Sequence, residues 1–157
     1  ILKDAEAILE NIDSDVYIKV PTTEEGLQAM QILKSKGVGI TATAIYTKIQ
    51  GLMAIAAGAD FIAPYCNRME NMDIDFRETI SVFRTMIDEN AAKTKILAAS
   101  FKNMAQVCDA FSAGAHTATV QPAMLHDAFG MPSINKAVKD FRSDWNKSQG
   151  EIEIFAL

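Results

Sequence analysis

Cysteine is scarce in this 157-residue chain, with Cys66 and Cys108 as the only two. They are too few for a disulfide framework and lack metal-ligand spacing, so a reducing compartment, the cytoplasm, is expected. No apolar run approaches the roughly 18 residues of a membrane span, and no signal-peptide pattern opens the sequence. Basic residues are in deficit, 15 Lys and Arg against 20 Asp and Glu, for a formal net charge of -5. Without a basic stripe interleaved with aromatics, nucleic acid is not an expected partner, although local basic residues can still hold small anions. No glycine-rich fingerprint follows any strand, which argues against a dinucleotide-binding sheet. Low-complexity linkers and a domain break are also missing, so residues 1–157 read as one globular domain. With 49% hydrophobic residues it can bury a sizeable core.

What is present alternates. "ILKDAEAILENI" sets Ile1, Leu2, Ala5, Ile8, Leu9 and Ile12 at helical spacing, without a cap or an initiator Met. The sequence is therefore expected to begin inside a helix, with an N-terminal portion of a longer protein upstream, an engineered or processed start being the plainer alternative. "VYIKVP" reads as a strand. A helix over 22–36 follows, with a capping box from Thr22 to Glu25, a stripe of Leu27, Met30, Ile32 and Leu33, and a stop at Gly37. The pattern then predicts strands at 38–45, 60–65, 94–100 and 116–121, and helices at 47–57, 71–91 and 102–114. A last helix at 133–147 carries Ile134, Val138, Phe141 and Trp145 as one apolar stripe, and "GEIEIFAL" fits either a tail or a short strand. Five strands alternating with helices make an α/β chain with a parallel sheet, compatible with a doubly wound sheet or a (β/α)8 TIM barrel. Period-two counting puts Lys19, Thr43, Tyr65 and Ser100 on one face at the carboxyl ends of strands, where barrel enzymes carry their chemistry. That decides for the barrel. Five strands cannot close it, so three more are expected from the N-terminal portion.

Lys19 stands in "SDVYIKVPTTEEG", where Val16, Ile18 and Val20 share one face and Tyr17 and Lys19 the other. An inward lysine is costly unless it is paired, reaches water or loses its proton. One reading is structural, an ammonium held by a carboxylate or water. The other is chemical, an amine made nucleophilic by burial that adds to a carbonyl and forms a Schiff base. Position at a strand end favours the second.

Three stretches, "YIKVPTTEEGLQAMQILKSKG", "TATAIYTKIQGLMAIAAGADFIAPYCNR" and "KILAASFKN", together resemble the transaldolase family, especially its fructose-6-phosphate aldolase-like subgroup. The first is similar to the family's Schiff-base strand and following helix, the second to its next two βα units, and the order holds over essentially the whole chain. The resemblance implies a cofactor-free class I aldolase that cleaves fructose 6-phosphate reversibly to dihydroxyacetone and glyceraldehyde 3-phosphate. It equally admits a transaldolase that moves a dihydroxyacetone unit between sugar phosphates. A catalytically inactive sugar-phosphate-binding fragment is the reading from another class. By the resemblance Lys19 is the Schiff-base lysine, and the hydroxyls of Thr43 and Tyr65 surround the catalytic water or the reacting hydroxyl, as a proton relay requires. Arg68, Ser100 and Lys102 then lie near the substrate phosphate. Lys102 stands where many relatives carry Arg, which keeps the charge and gives up the bidentate fork. Gln50 matches a family position and reads as structural support. Tyr65 stands where many transaldolases have Phe, which leans the reading towards aldolase. Ring-like homo-oligomers, a pentamer or decamer, are implied, with the terminal helix reaching a neighbour. The family's catalytic aspartate on its first strand and a water-binding side chain on its third have no counterpart in this sequence.

Each assignment has a plainer reading beside it. Thr43 can be an ordinary strand threonine, Tyr65 a core aromatic, and Arg68 and Lys102 solvated surface charges. His116 and His126 lie ten positions apart without a partner motif, so no metal site is expected. Met53, Met104 and Met124 read as core filler, and Asp73 and Asp75 as helix-capping acids.

Overall fold

A computed structural model describes residues 1–153 and 155 of the chain, so the reading of "GEIEIFAL" falls partly outside the described residues. Five strands pair in parallel in sequence order: β1 (Tyr17–Pro21), β2 (Gly39–Ile45), β3 (Phe61–Pro64), β4 (Lys95–Ala98) and β5 (Thr117–Ala118). An order that never reverses has no topological switch point, so it excludes the doubly wound alternative and matches consecutive staves of a barrel wall. β1 and β5 form the two edges of the described sheet.

Eight helices are described in chain order: α1 (Leu2–Asn11), α2 (Glu24–Ser35), α3 (Lys48–Ala56), α4 (Cys66–Glu70), α5 (Phe76–Glu89), α6 (Met104–Ser112), α7 (Pro122–Phe129) and α8 (Pro132–Gln149). Several boundaries differ from the expected ones for local reasons. Thr23, not Thr22, caps α2, its hydroxyl accepting the Gly26 N–H at 3.0 Å. Thr22 is buried and donates its hydroxyl to the Thr43 carbonyl at 3.0 Å. The helix expected over 71–91 starts only at Phe76, because Asp75 accepts the N–H groups of Arg77 and Glu78 and sets the first turn there. Asp73 is no cap; it takes a left-handed turn at φ 59. β5 is two residues long where six were expected.

The face of the sheet under the helices is a continuous apolar row. Ile18, Val20, Ile40, Ala42, Ile62, Ile96 and Ala98 are all buried, as period two demands of a parallel sheet covered by helices. On the other face, Tyr17 reaches across Gly39 to meet Phe61 edge-on at 5.2 Å between centroids. A Cβ at position 39 would lie 2.8 Å from the Tyr17 ring, so glycine makes room for that contact. At the amino end of the sheet, the His116 Nδ1 accepts the Ile96 N–H at 3.0 Å and its Nε2 faces Arg84. Burial and the Arg84 charge hold this imidazole below its usual range.

The chain divides into two compact units, Ile1–Val120 and Gln121–Leu157. The first holds the sheet. In the second, α8 shows Ile134, Val138 and Phe141 to solvent, and the Trp145 indole donates to the Ile152 carbonyl at 2.7 Å.

Helix α3 lies close on α5 at Gly51, where a Cβ would come within 2.1 Å of the buried Phe83 ring. Gly51→Ala in the full-length protein should cost about 1–3 kcal/mol through overpacking, measured by urea unfolding. An unchanged midpoint would mean that the ring has room to move.

Candidate active site

The side chains of interest lie on the sheet face turned away from the helices, towards the carboxyl ends of the strands. Lys19 pairs in register with Thr41, and Pro21 with Thr43, so Lys19 sits one pleat repeat before Thr43. With the strand spacing this diagonal is about 8 Å, which long side chains can span. Lys19 is exposed, as are its same-face neighbours Tyr17 and Pro21. Burial, on which the sequence reading rested its case for a nucleophilic amine, is thus not supplied by the described residues. The physical reason is the edge position: β1 has a strand neighbour on one side only.

Thr43 and Tyr65 do meet. The Thr43 hydroxyl donates to the Tyr65 phenolic oxygen at 2.9 Å, although 22 residues separate them in sequence. A bulge lies beside this contact. Between Ala42 and Ile45, β2 gains one residue relative to β3, and Ala44 takes up the slack in the left-handed region at φ 56. Such a bulge re-aims side chains at a strand end. Gln50 holds it in place, its amide donating to the Thr22 and Ala44 carbonyls at 3.1 and 3.3 Å, while its Oε1 accepts the Tyr46 and Thr47 N–H groups. The supporting role read for Gln50 has this geometry. Two hydroxyls in contact retain spare donor and acceptor capacity, enough to orient a water molecule.

Arg68 lies on α4 with its guanidinium 4.9 Å from the centre of the Tyr65 ring, and it donates to the Tyr46 hydroxyl at 3.0 Å. Tyr46 in turn meets Tyr65 edge-on at 5.6 Å. Reading the sequence passed over Tyr46; its place one residue beyond β2, beside the predicted site, was the available signal. Ser100 and Lys102 follow β4. The Cys66 and Asn67 N–H groups, which open α4, donate to the Ala99 and Ser100 carbonyls at 2.9 Å, laying the Arg68-bearing helix along the Ser100 segment. Lys102 is exposed, and Ser100 is held at φ 63. Arg68, Ser100 and Lys102 are therefore on adjacent segments, and the lysine and hydroxyl pair on adjacent strands of one face. Among the described residues, no group of three His, Cys, Asp or Glu side chains converges as a metal site. No helix among them is long and apolar enough to cross a membrane.

In-order parallel strands with polar side chains at their carboxyl ends, on the face away from the helices, define part of a TIM-barrel wall. The chain belongs to the transaldolase/fructose-6-phosphate aldolase family, whose family model, "Transaldolase/Fructose-6-phosphate aldolase", matches residues 1–154. It is 55% identical, over 145 residues, to a protein of Streptococcus pneumoniae (strain ATCC 700669 / Spain 23F-1) described as "Probable fructose-6-phosphate aldolase". That match covers 92% of this chain and 65% of the pneumococcal protein, so the chain spans about two-thirds of the length of the curated relative it matches.

Cys66, next to Tyr65, is fully buried, and burial pushes its thiol up to about 12. Iodoacetamide at about pH 8 should leave Cys66 of the native full-length protein unmodified and label it only after denaturation, as read by peptide mass spectrometry. Labelling of Cys66 in the native protein would contradict this packing.

Proposed function

We propose that the full-length protein is a class I aldolase acting on fructose 6-phosphate. The observation that carries this is the placement of Lys19 beside the bonded Thr43–Tyr65 hydroxyl pair on one strand-end face, in a chain 55% identical to a probable fructose-6-phosphate aldolase. The neutral Lys19 amine adds to the ketose C2 carbonyl, and loss of water gives an iminium. A proton then leaves the C4 hydroxyl, the C3–C4 bond breaks, and its electron pair moves into the iminium to give an enamine while glyceraldehyde 3-phosphate departs. Protonation of the enamine at C3 and hydrolysis release dihydroxyacetone and restore Lys19. Thr43 and Tyr65 surround the water that relays these protons, and the Tyr65 hydroxyl positions it for the protonation at C3. Arg68, Ser100 and Lys102 bind the phosphate, Arg68 leaving its rest position against the tyrosines to do so. No cofactor or metal takes part in these steps. The same reading includes one barrel domain to which residues 1–157 contribute, a cytoplasmic location, and a homo-oligomeric ring in which the exposed α8 stripe meets a neighbouring protomer.

Transaldolase activity is the second reading, favoured by a family name that spans both reactions. Both share the Lys19 enamine and differ in whether it is protonated or waits for an aldehyde acceptor. Losing one hydrogen bond to the relay water corresponds to about tenfold in rate. Tyr65→Phe in the full-length enzyme should therefore lower release of free dihydroxyacetone from fructose 6-phosphate about tenfold and spare transfer to erythrose 4-phosphate. If the wild-type enzyme transfers efficiently and releases no dihydroxyacetone, transaldolase is the correct activity.

A further inference from the structure

Gln106 is the one side-chain amide among the buried polar residues described, only 5% exposed in the first turn of α6. A buried amide must find partners for both its ends, and those of Gln106 belong to the two segments that carry the phosphate trio. Its Oε1 accepts the Lys102 N–H at 2.8 Å, while its Nε2 donates to the Asn67 side-chain oxygen at 3.2 Å and to the Glu70 carboxylate. Asn67 and Glu70 flank Arg68 on α4. Gln106 thus ties the loop after β4 to the helix bearing Arg68, from the buried side. Two further observations give this tie work to do. Ser100 holds φ 63, a conformation that a residue with a side chain keeps only where its surroundings impose it. Glu70 is itself fixed from outside by Arg77, at 3.1 Å, and Arg77 reaches back to Asp109 on α6, three residues beyond Gln106.

We propose that Gln106 is a positioning residue for the substrate phosphate. It sets the spacing between the 100–102 segment and α4 at which Ser100, Lys102 and Arg68 close on one phosphate group. The inference rests on the phosphate reading given under Proposed function and adds the residue that organises it. A role in core packing alone would affect all substrates alike, so the substrate dependence separates the two.

The test uses the full-length enzyme. Gln106→Met keeps side-chain length and removes every hydrogen bond of the amide. It should raise KM for fructose 6-phosphate, and the inhibition constant of inorganic phosphate, by about tenfold, the scale expected of a small misplacement. The kcat, and the addition of dihydroxyacetone to unphosphorylated glyceraldehyde, should change by less than about twofold. Gln106→Glu places a second carboxylate against Glu70 and should be worse. Adding Glu70→Gln exchanges amide and carboxylate across the same contact and should recover KM to within about threefold of wild type, the rescue expected of coupled neighbours. This pair also serves if Gln106→Met fails to fold. Lys102→Ala is the reference. If Lys102→Ala discriminates phosphorylated from unphosphorylated substrates while Gln106→Met weakens both equally, or the exchange does not rescue, Gln106 is structural and the inference falls alone. If Lys102→Ala also fails to discriminate, the phosphate reading falls and takes this inference with it.

Discussion

Parallel pairing in sequence order, with one face committed to the helices, is the constraint on which the rest depends. Ile18, Val20, Ile40, Ala42, Ile62 and Ile96 must face α2, α3, α5 and α6 to be buried. Once they do, Lys19, Thr41, Phe61 and Leu97 have only the opposite face left. A one-residue slip in register would reverse every one of these assignments, so the apolar row specifies the polar one. The apolar side chains thereby determine where chemistry can occur, without taking part in it.

Thr43 and Tyr65 meet beside an irregularity at the strand end. The bulge at Ala44 forms it, and the two-ended amide of Gln50 stabilises it. The same solution recurs one strand pair on. Ser100 adopts a left-handed backbone after β4, and a second two-ended amide, Gln106, ties that loop to its neighbour. Two glutamines early in their helices thus do equivalent tasks on either side of the Tyr46–Arg68–Tyr65 cluster. Strained backbone at strand ends persists because buried hydrogen bonds over-determine it.

A strand such as "VYIKVP" was legible in the sequence because β-branched residues with period two leave few alternatives. Long helices were legible for the same kind of reason, though their first residues were not. Thr22 and Thr23 are both competent caps, and only the burial of Thr22 against Thr43 decides between them. Helix α4 escaped because five residues are too few to show a period, and its first N–H groups are satisfied by the Ala99 and Ser100 carbonyls after β4, which no local pattern reveals. Lys19 lies on the face that counting assigned to it. Its exposure could not be counted, since it follows from the place of β1 at the edge of the described sheet rather than from the residues of β1. Gln106 gave no local sign of its tie to α4, because its partner Asn67 lies 39 residues away in the chain.

The most direct test of the account is where a carbonyl substrate attaches. The full-length protein is treated with dihydroxyacetone and borohydride, which reduces an iminium to a stable secondary amine, and the modified lysine is located by peptide mass spectrometry. The account predicts a single adduct on the peptide containing Lys19, lost in Lys19→Met without loss of the folded state. An adduct on a different lysine, or none on a protein that still cleaves fructose 6-phosphate, would contradict it.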